Sequence, residues 1–132
     1  MAKGRRDYTW GVLQDSILPG RYSTNFFKFE YITLLSGTDG DVITYTVPAG
    51  YKLLLISVRV STLSPATNVV RLTKNSILII DLFYSLNYSF DFGSGGSYSF
   101  EAGDVLVVTC INYDTVAHTF YVGIMGVLEQ LV

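Results

Sequence analysis

From Phe26 onward the chain is a succession of short runs rich in Val, Ile, Leu, Thr, Tyr and Phe, and no segment sustains an apolar period near 3.6 residues. Each run ends in residues that tolerate positive φ or fix a turn. That combination excludes a helical core and predicts an all-β fold. Strands are expected near 26–35, 41–47, 51–62, 68–74, 76–84, 88–92, 97–100, 104–112 and 117–128. The breaks between them are 36–40, Pro48-Ala49-Gly50, 63–67, Lys74-Asn75, 93–96, Ala102-Gly103 and 112–115. Strands at this spacing suit an antiparallel β-sandwich or jelly roll of about eight strands, although spacing alone does not order them.

Two runs show alternation. In 53–61, positions 54, 56, 58 and 60 are apolar while 57, 59 and 61 are polar, which predicts that Arg59 faces solvent or a partner. In 42–47, alternation puts Ile43, Tyr45 and Val47 on one side. Residues 1–25 hold neither period for long and are punctuated by Gly4, Gly11 and Pro19-Gly20. The expected organisation is an extended arm over 1–25 and a β-domain over 26–132.

Composition bears on what surrounds such a domain. Charged residues make up 15% of the chain, against a usual ~25%, while apolar residues reach 49% with ten Tyr and eight Phe. Little charge is left to cover a solitary molecule, so the balance predicts a homo-oligomer or a component of a coat. A large Tyr-rich core is the other reading.

The net charge of −2 argues against a general nucleic-acid binder. The charge is uneven. Lys3, Arg5, Arg6, Arg21 and Lys28 face only Asp7 and Asp15 in the first 28 residues, a local +3 that leaves −5 on the remainder. In the arm, Lys3, Arg5 and Arg6 could pair with acidic patches or phosphate, and Tyr8 and Trp10 could anchor in an apolar pocket of a neighbouring chain. A solvated tail is the plainer reading. Packaged nucleic acid is a weaker partner because three charges contribute little at physiological salt.

Cys110, the single cysteine, sits in an apolar run and reads as a small buried hydrophobe. No apolar stretch follows Arg5-Arg6, so a signal peptide is not expected, and no run approaches a membrane span. These features predict a protein soluble or assembled in the cytoplasm, with no membrane partner.

Two segments share a pattern in which a strand end meets a tight Ala-Gly turn and a new strand starts: Val47-Pro48-Ala49-Gly50-Tyr51-Lys52-Leu53 and Phe100-Glu101-Ala102-Gly103-Asp104-Val105-Leu106. The second, together with Phe120-Tyr121-Val122-Gly123, resembles the C-terminal half of trimeric jelly rolls of the tumour-necrosis-factor and complement-head type. The first resembles small phage proteins that decorate capsids or form tail and fibre modules. The resemblance implies a virion structural protein: a capsid decoration (head auxiliary) subunit, trimeric, contacting neighbouring capsid or tail proteins. The alternative it implies is a tail or fibre module that binds a host receptor or carbohydrate. The basic arm and the lack of a collagen-like stalk depart from the complement type, so no family binding residues carry over.

In the tract 83–92, Tyr84, Tyr88 and Phe90 could form an aromatic contact surface, or the tract could be a half-buried strand. Gly93-Ser94-Gly95-Gly96 lacks the Lys-Ser/Thr of a phosphate loop and reads as a hairpin tip. His118 has no second His or Cys at ligand spacing, so neither a metal site nor a cofactor is expected. No nucleophile-elbow sequence is present, and no enzymatic activity is expected. Asp39 and Asp41 have the look of a turn with too few ligands for calcium.

Overall fold

Residues 22–63, 65, 67–92 and 98–131 are described by a computed structural model. They form nine strands and no helix: β1 (Tyr22–Leu34), β2 (Asp39–Thr46), β3 (Tyr51–Thr62), β4 (Asn68–Lys74), β5 (Ile77–Tyr84), β6 (Asn87–Asp91), β7 (Tyr98–Phe100), β8 (Val105–Asn112) and β9 (His118–Gln130). Every pairing is antiparallel. Sheet A has the order β1-β9-β3-β6, with β7 beside β6 on the same edge of β3, and sheet B the order β2-β8-β4-β5. Apart from the β4–β5 hairpin and the β6–β7 pair, successive strands cross between the sheets in the double Greek-key manner of a jelly roll, with one outer strand split into β6 and β7.

β3 and β4 occupy the spans the sequence predicts. β1 begins at Tyr22, four residues ahead of the expected start, because its ladder with β9 continues as far as Tyr22↔Gln130 whatever the side-chain pattern. The two Ala-Gly turns do what their pattern implies: Gly50 and Gly103 have φ of +84° and +88°, where a side chain is strained. They lie side by side, the Gly103 N–H donating to the Val47 carbonyl at 2.8 Å. The β4–β5 hairpin turns on Asn75 and Ser76, both at positive φ, as a tight hairpin of right-handed twist requires. Asn75 also ties that hairpin to the second turn, donating to Asp104 at 2.9 Å and accepting from the Val105 N–H at 2.8 Å.

The core lies between the sheets. Sheet A contributes Leu53, Leu55, Val58, Val60, Phe100, Phe120, Val122 and Ile124, and sheet B contributes Ile43, Val70, Leu72, Ile80, Leu106, Val108 and Cys110. Ile43 and Val47 face inward as alternation predicts, with Tyr45 half-buried. β3 departs from it. Leu53 and Leu55 are buried and Ile56 is exposed, after which Val58 and Val60 are buried, so the expected inward phase holds only from 58 onward. The reason is a bulge: Leu55 pairs with Gly126 and Ser57 with Met125, leaving Ile56 as an extra residue that flips the phase of the strand. Gly126 is part of the same feature, since a Cβ there would sit 2.3 Å from the Leu54 carbonyl oxygen.

Aromatic side chains close both seams of the sandwich. Phe26 packs on Tyr45 between β1 and β2, with ring centroids 4.8 Å apart. On the opposite side a chain of ring contacts runs from Tyr88 through Phe90, Phe92 and Tyr98 to Phe100. The Lys74 ammonium lies over the last two rings.

Candidate functional site

The residues singled out from the sequence are not brought together. Lys3, Arg5, Arg6, Tyr8 and Trp10 lie outside the described residues. Tyr84 corrects the expectation of an aromatic contact surface: it points into the core, its hydroxyl making no hydrogen bond of ordinary length beside Cys110. Burial pushes the acidity of this phenol far below that of ordinary tyrosine, and pushes the Cys110 thiol up to about 12. Tyr88 and Phe90 are half-buried against the core, because they pair with the inward-facing Val60 and Val58.

His118 is buried at the start of β9 and its Nε2 meets Asp114 Oδ2 at 2.6 Å. This pair belongs to a loop clamp built on Asn112, which is fully buried. The Asn112 amide donates to the carbonyls of Leu34 (3.0 Å) and Val116 (2.9 Å), and its side-chain oxygen accepts from the Asp114 N–H (2.9 Å). The bond to His118, and then the Thr115 N–H, hold the Asp114 carboxyl below the usual carboxylate range. Among the described residues no three His, Cys, Asp or Glu side chains gather as metal ligands.

The feature that stands out is the outer face of sheet A. Pairing with β9 fixes the phase of β1, so that Ile32 faces Phe120 inside and Phe27, Phe29 and Tyr31 face outward. They are 64%, 57% and 68% exposed. Cross-strand pairs set three rows on this face: Phe27–Met125–Ser57–Asp91, Phe29–Gly123–Arg59–Ser89 and Tyr31–Tyr121–Ser61–Asn87. The Phe27 and Phe29 rings stack at 6.4 Å, and Tyr31 meets Tyr121 at 6.0 Å. Gly123 leaves the middle row without a side chain, and the Phe29 ring leans over it, 3.3 Å from where a Cβ would be.

The result is an aromatic ridge along β1 beside an open trench of about 560 Å³, floored at Gly123 and walled on the far side by Arg59, Ser61, Asn87 and Ser89. Arg59 is exposed, as the sequence predicts, and among the described residues it has no ion-pair partner. The outer face of sheet B is mixed: β5 leaves Leu78 and Phe83 exposed near its edge, beside a polar row. Its row Asp41–Thr109–Arg71–Asp81 is a polar network, with Thr109 donating to Asp41 at 2.7 Å and Arg71 Nε donating to Asp81 at 3.0 Å. Sequence reading missed the ridge because alternation in 26–31 points the aromatic residues inward, and only the ladder with β9 turns them out.

No protein-family model and no curated protein matches the chain. Solved structures similar in fold include the decameric BFDV capsid protein (TM-score 0.49, 9% identity, 85% of this chain and 99% of that one). The major capsid protein P2 from bacteriophage PM2 is similar over 83% of this chain and 46% of that one (TM-score 0.46, 17% identity). FlhE is similar over 86% and 99% (TM-score 0.47, 13% identity). Viral capsid proteins thus stand among the structural neighbours, together with a protein of another kind. At these identities and scores the likenesses carry no function across.

Proposed function

We propose that this protein is a virion structural subunit, a capsid decoration or head auxiliary protein, whose work is to cover and be covered. The observation that carries the reading is the aromatic ridge on the outer face of sheet A, where Phe27, Phe29 and Tyr31 stand exposed in a row on one strand. At ~200 Å² per aromatic side chain, these three expose on the order of 400 Å² of mostly apolar surface. Covering it is worth ~10 kcal/mol at ~25 cal/mol per Å². Association costs ~4 to 15 kcal/mol, so one such face on each of two partners is enough to hold a contact. In a shell the same contact recurs at every subunit, and many modest contacts resist mechanical load together. The subunit count in this reading is a trimer, and the arm residues Lys3, Arg5, Arg6, Tyr8 and Trp10 reach over a neighbour.

The test is incorporation. Particles depleted of the wild-type chain are supplied with it, with a form lacking residues 2–11, or with Phe27→Ser/Phe29→Ser, and the washed particles are assayed for bound protein. The reading requires that the wild type be retained and that both altered forms be lost while still folded. A wild-type chain that never sediments with particles refutes it.

A second reading, a tail or fibre module for a host receptor or carbohydrate, draws on the trench, where an aromatic wall faces Arg59, Asn87 and Ser89. It requires saturable glycan binding that falls when Arg59→Ala is introduced and is unaffected by loss of the arm.

A further inference from the structure

Ridge and trench lie side by side on one face, and this makes the outer face of sheet A self-complementary. A two-fold axis running along the strands midway between β9 and β3, between two copies placed face to face, exchanges β1 with β6 and carries the ridge of each onto the trench side of the other. The rows stay in register under that operation, so Phe29 of one copy stands over Ser89 of its mate and Arg59 over Gly123, where the missing side chain leaves room. Arg59 stands in the same row without an ion-pair partner among the described residues, and the mate's exposed ring supplies the π-face that a guanidinium takes. The two Arg59 side chains then fall on opposite sides of the axis and do not oppose each other. Size is also sufficient. A face four strands wide and roughly ten residues long spans on the order of 600 Å² before side-chain relief is counted, near the about 800 Å² per partner of a stable interface.

We propose that the occupant of this face is a second copy of the same chain, joined ridge-into-trench as an isologous pair. The inference rests on the reading that the face is covered in an assembly, and it names what covers it. It is compatible with three-fold contacts made through other surfaces, in which case the pair joins one trimer to the next.

Sedimentation velocity of the purified full-length chain over a wide concentration range should show an even number of copies. Phe29→Ser should weaken the association by at least about tenfold with an unchanged far-ultraviolet spectrum, since the ring is exposed and its loss opens no cavity. Cysteine pairing reads the geometry directly, because the native Cys110 is buried and its thiol is pushed up to about 12. Because facing sheets lie ~10 Å apart, beyond the reach of a disulfide, a mixture of the single variants Phe29→Cys and Ser89→Cys should give a covalent heterodimer with a short bismaleimide cross-linker, whereas neither variant alone should cross-link. A wild-type chain that stays monomeric or forms only closed trimers overturns the proposal. So does association indifferent to Phe29→Ser, cross-linking between identical positions, association abolished by removing residues 1–21 with no 29–89 cross-link, or a face that binds glycan as a monomer. If particles still incorporate a chain that is monomeric in solution, the structural reading stands and only this pairing falls.

Discussion

Replacing Gly126 by alanine adds a single methyl group at a place where two strands already touch. The new Cβ would lie 2.3 Å from the Leu54 carbonyl oxygen and 3.1 Å from both the Leu54 carbonyl carbon and the Leu55 Cα. All three are backbone atoms, so no rotamer change relieves the clash. A carbon normally approaches a carbonyl oxygen to ~3.3 Å, so β3 must retreat by about 1 Å beside its bulge, shifting the fully buried Leu53 and Leu55. Overpacking of this kind costs ~1 to 3 kcal/mol and a weakened ladder hydrogen bond ~1 kcal/mol. The strand preference for alanine over glycine returns ~0.5 to 1 kcal/mol. The net loss is about 2 kcal/mol, which for a domain of this size lowers the thermal midpoint by roughly 6 to 10 °C. Gly123, three residues earlier on the same strand, is the control. A Cβ there meets the ring edge of Phe29 at 3.3 Å, and that side chain is exposed and free to swing. Gly123→Ala should therefore stay within about 0.5 kcal/mol of the wild type. Urea and thermal unfolding of both variants measure the contrast. Equal losses, or a Gly126→Ala protein as stable as the wild type, would refute the claim that the bulge is locked by a missing side chain.

Asn112→Ala should cost about 2 to 4 kcal/mol in urea unfolding, because three hydrogen bonds go and the Leu34 carbonyl is left without its amide donor; a loss under 1 kcal/mol would mean that the clamp is dispensable. Tyr84→Phe removes a buried hydroxyl that makes no hydrogen bond, and should be neutral or stabilise by up to about 1 kcal/mol; clear destabilisation would reveal a partner for the hydroxyl. Acid should weaken the fold through Asp104, whose carboxyl is held below its ordinary value by the Asn75 amide, the Glu101 N–H and Lys74. A lowered folded-state pKa means the unfolded chain binds more protons, so this contribution is complete above ~pH 5 and is lost as pH falls further through the folded-state value. Asp104→Asn should accordingly be less stable than the wild type near neutrality, with the gap closing in acid; a gap independent of pH would rule the mechanism out.

How much of this was legible in the sequence depends on which residues carry it. Strand spans and turns were, because turn chemistry is local: Gly50, Gly103 and Asn75 each need a backbone conformation that their own identity announces. The phase of β3 was not, because the extra residue at Ile56 is dictated by a close approach to Gly126, seventy positions away in the chain. Nor was the burial of Tyr84, which is indistinguishable in composition from Tyr88 until the β4–β5 pairing turns it inward.

The first strand gives the sharpest case, and it bears on function. In 26–31 the sequence reads Phe-Phe-Lys-Phe-Glu-Tyr, and alternation alone would bury Phe27, Phe29 and Tyr31 and leave Lys28 and Glu30 in water. The ladder with β9 does the reverse: Lys28 pairs with the inward-facing Ile124 and Glu30 with Val122. The charges are tolerated there because β1 is an edge strand, open at the seam toward β2: Glu30 stays exposed, and the half-buried Lys28 rests its ammonium 5.8 Å from the centre of the Tyr45 ring. Inward-pointing charge on an edge strand discourages edge-to-edge pairing with another sheet. Growth from this side is thus disfavoured along the edge, while Phe27, Phe29 and Tyr31 are turned to the flat face. In the proposed pairing, a strand patterned in this way would direct association through the face of sheet A and away from its rim, which is the geometry a closed, countable assembly needs.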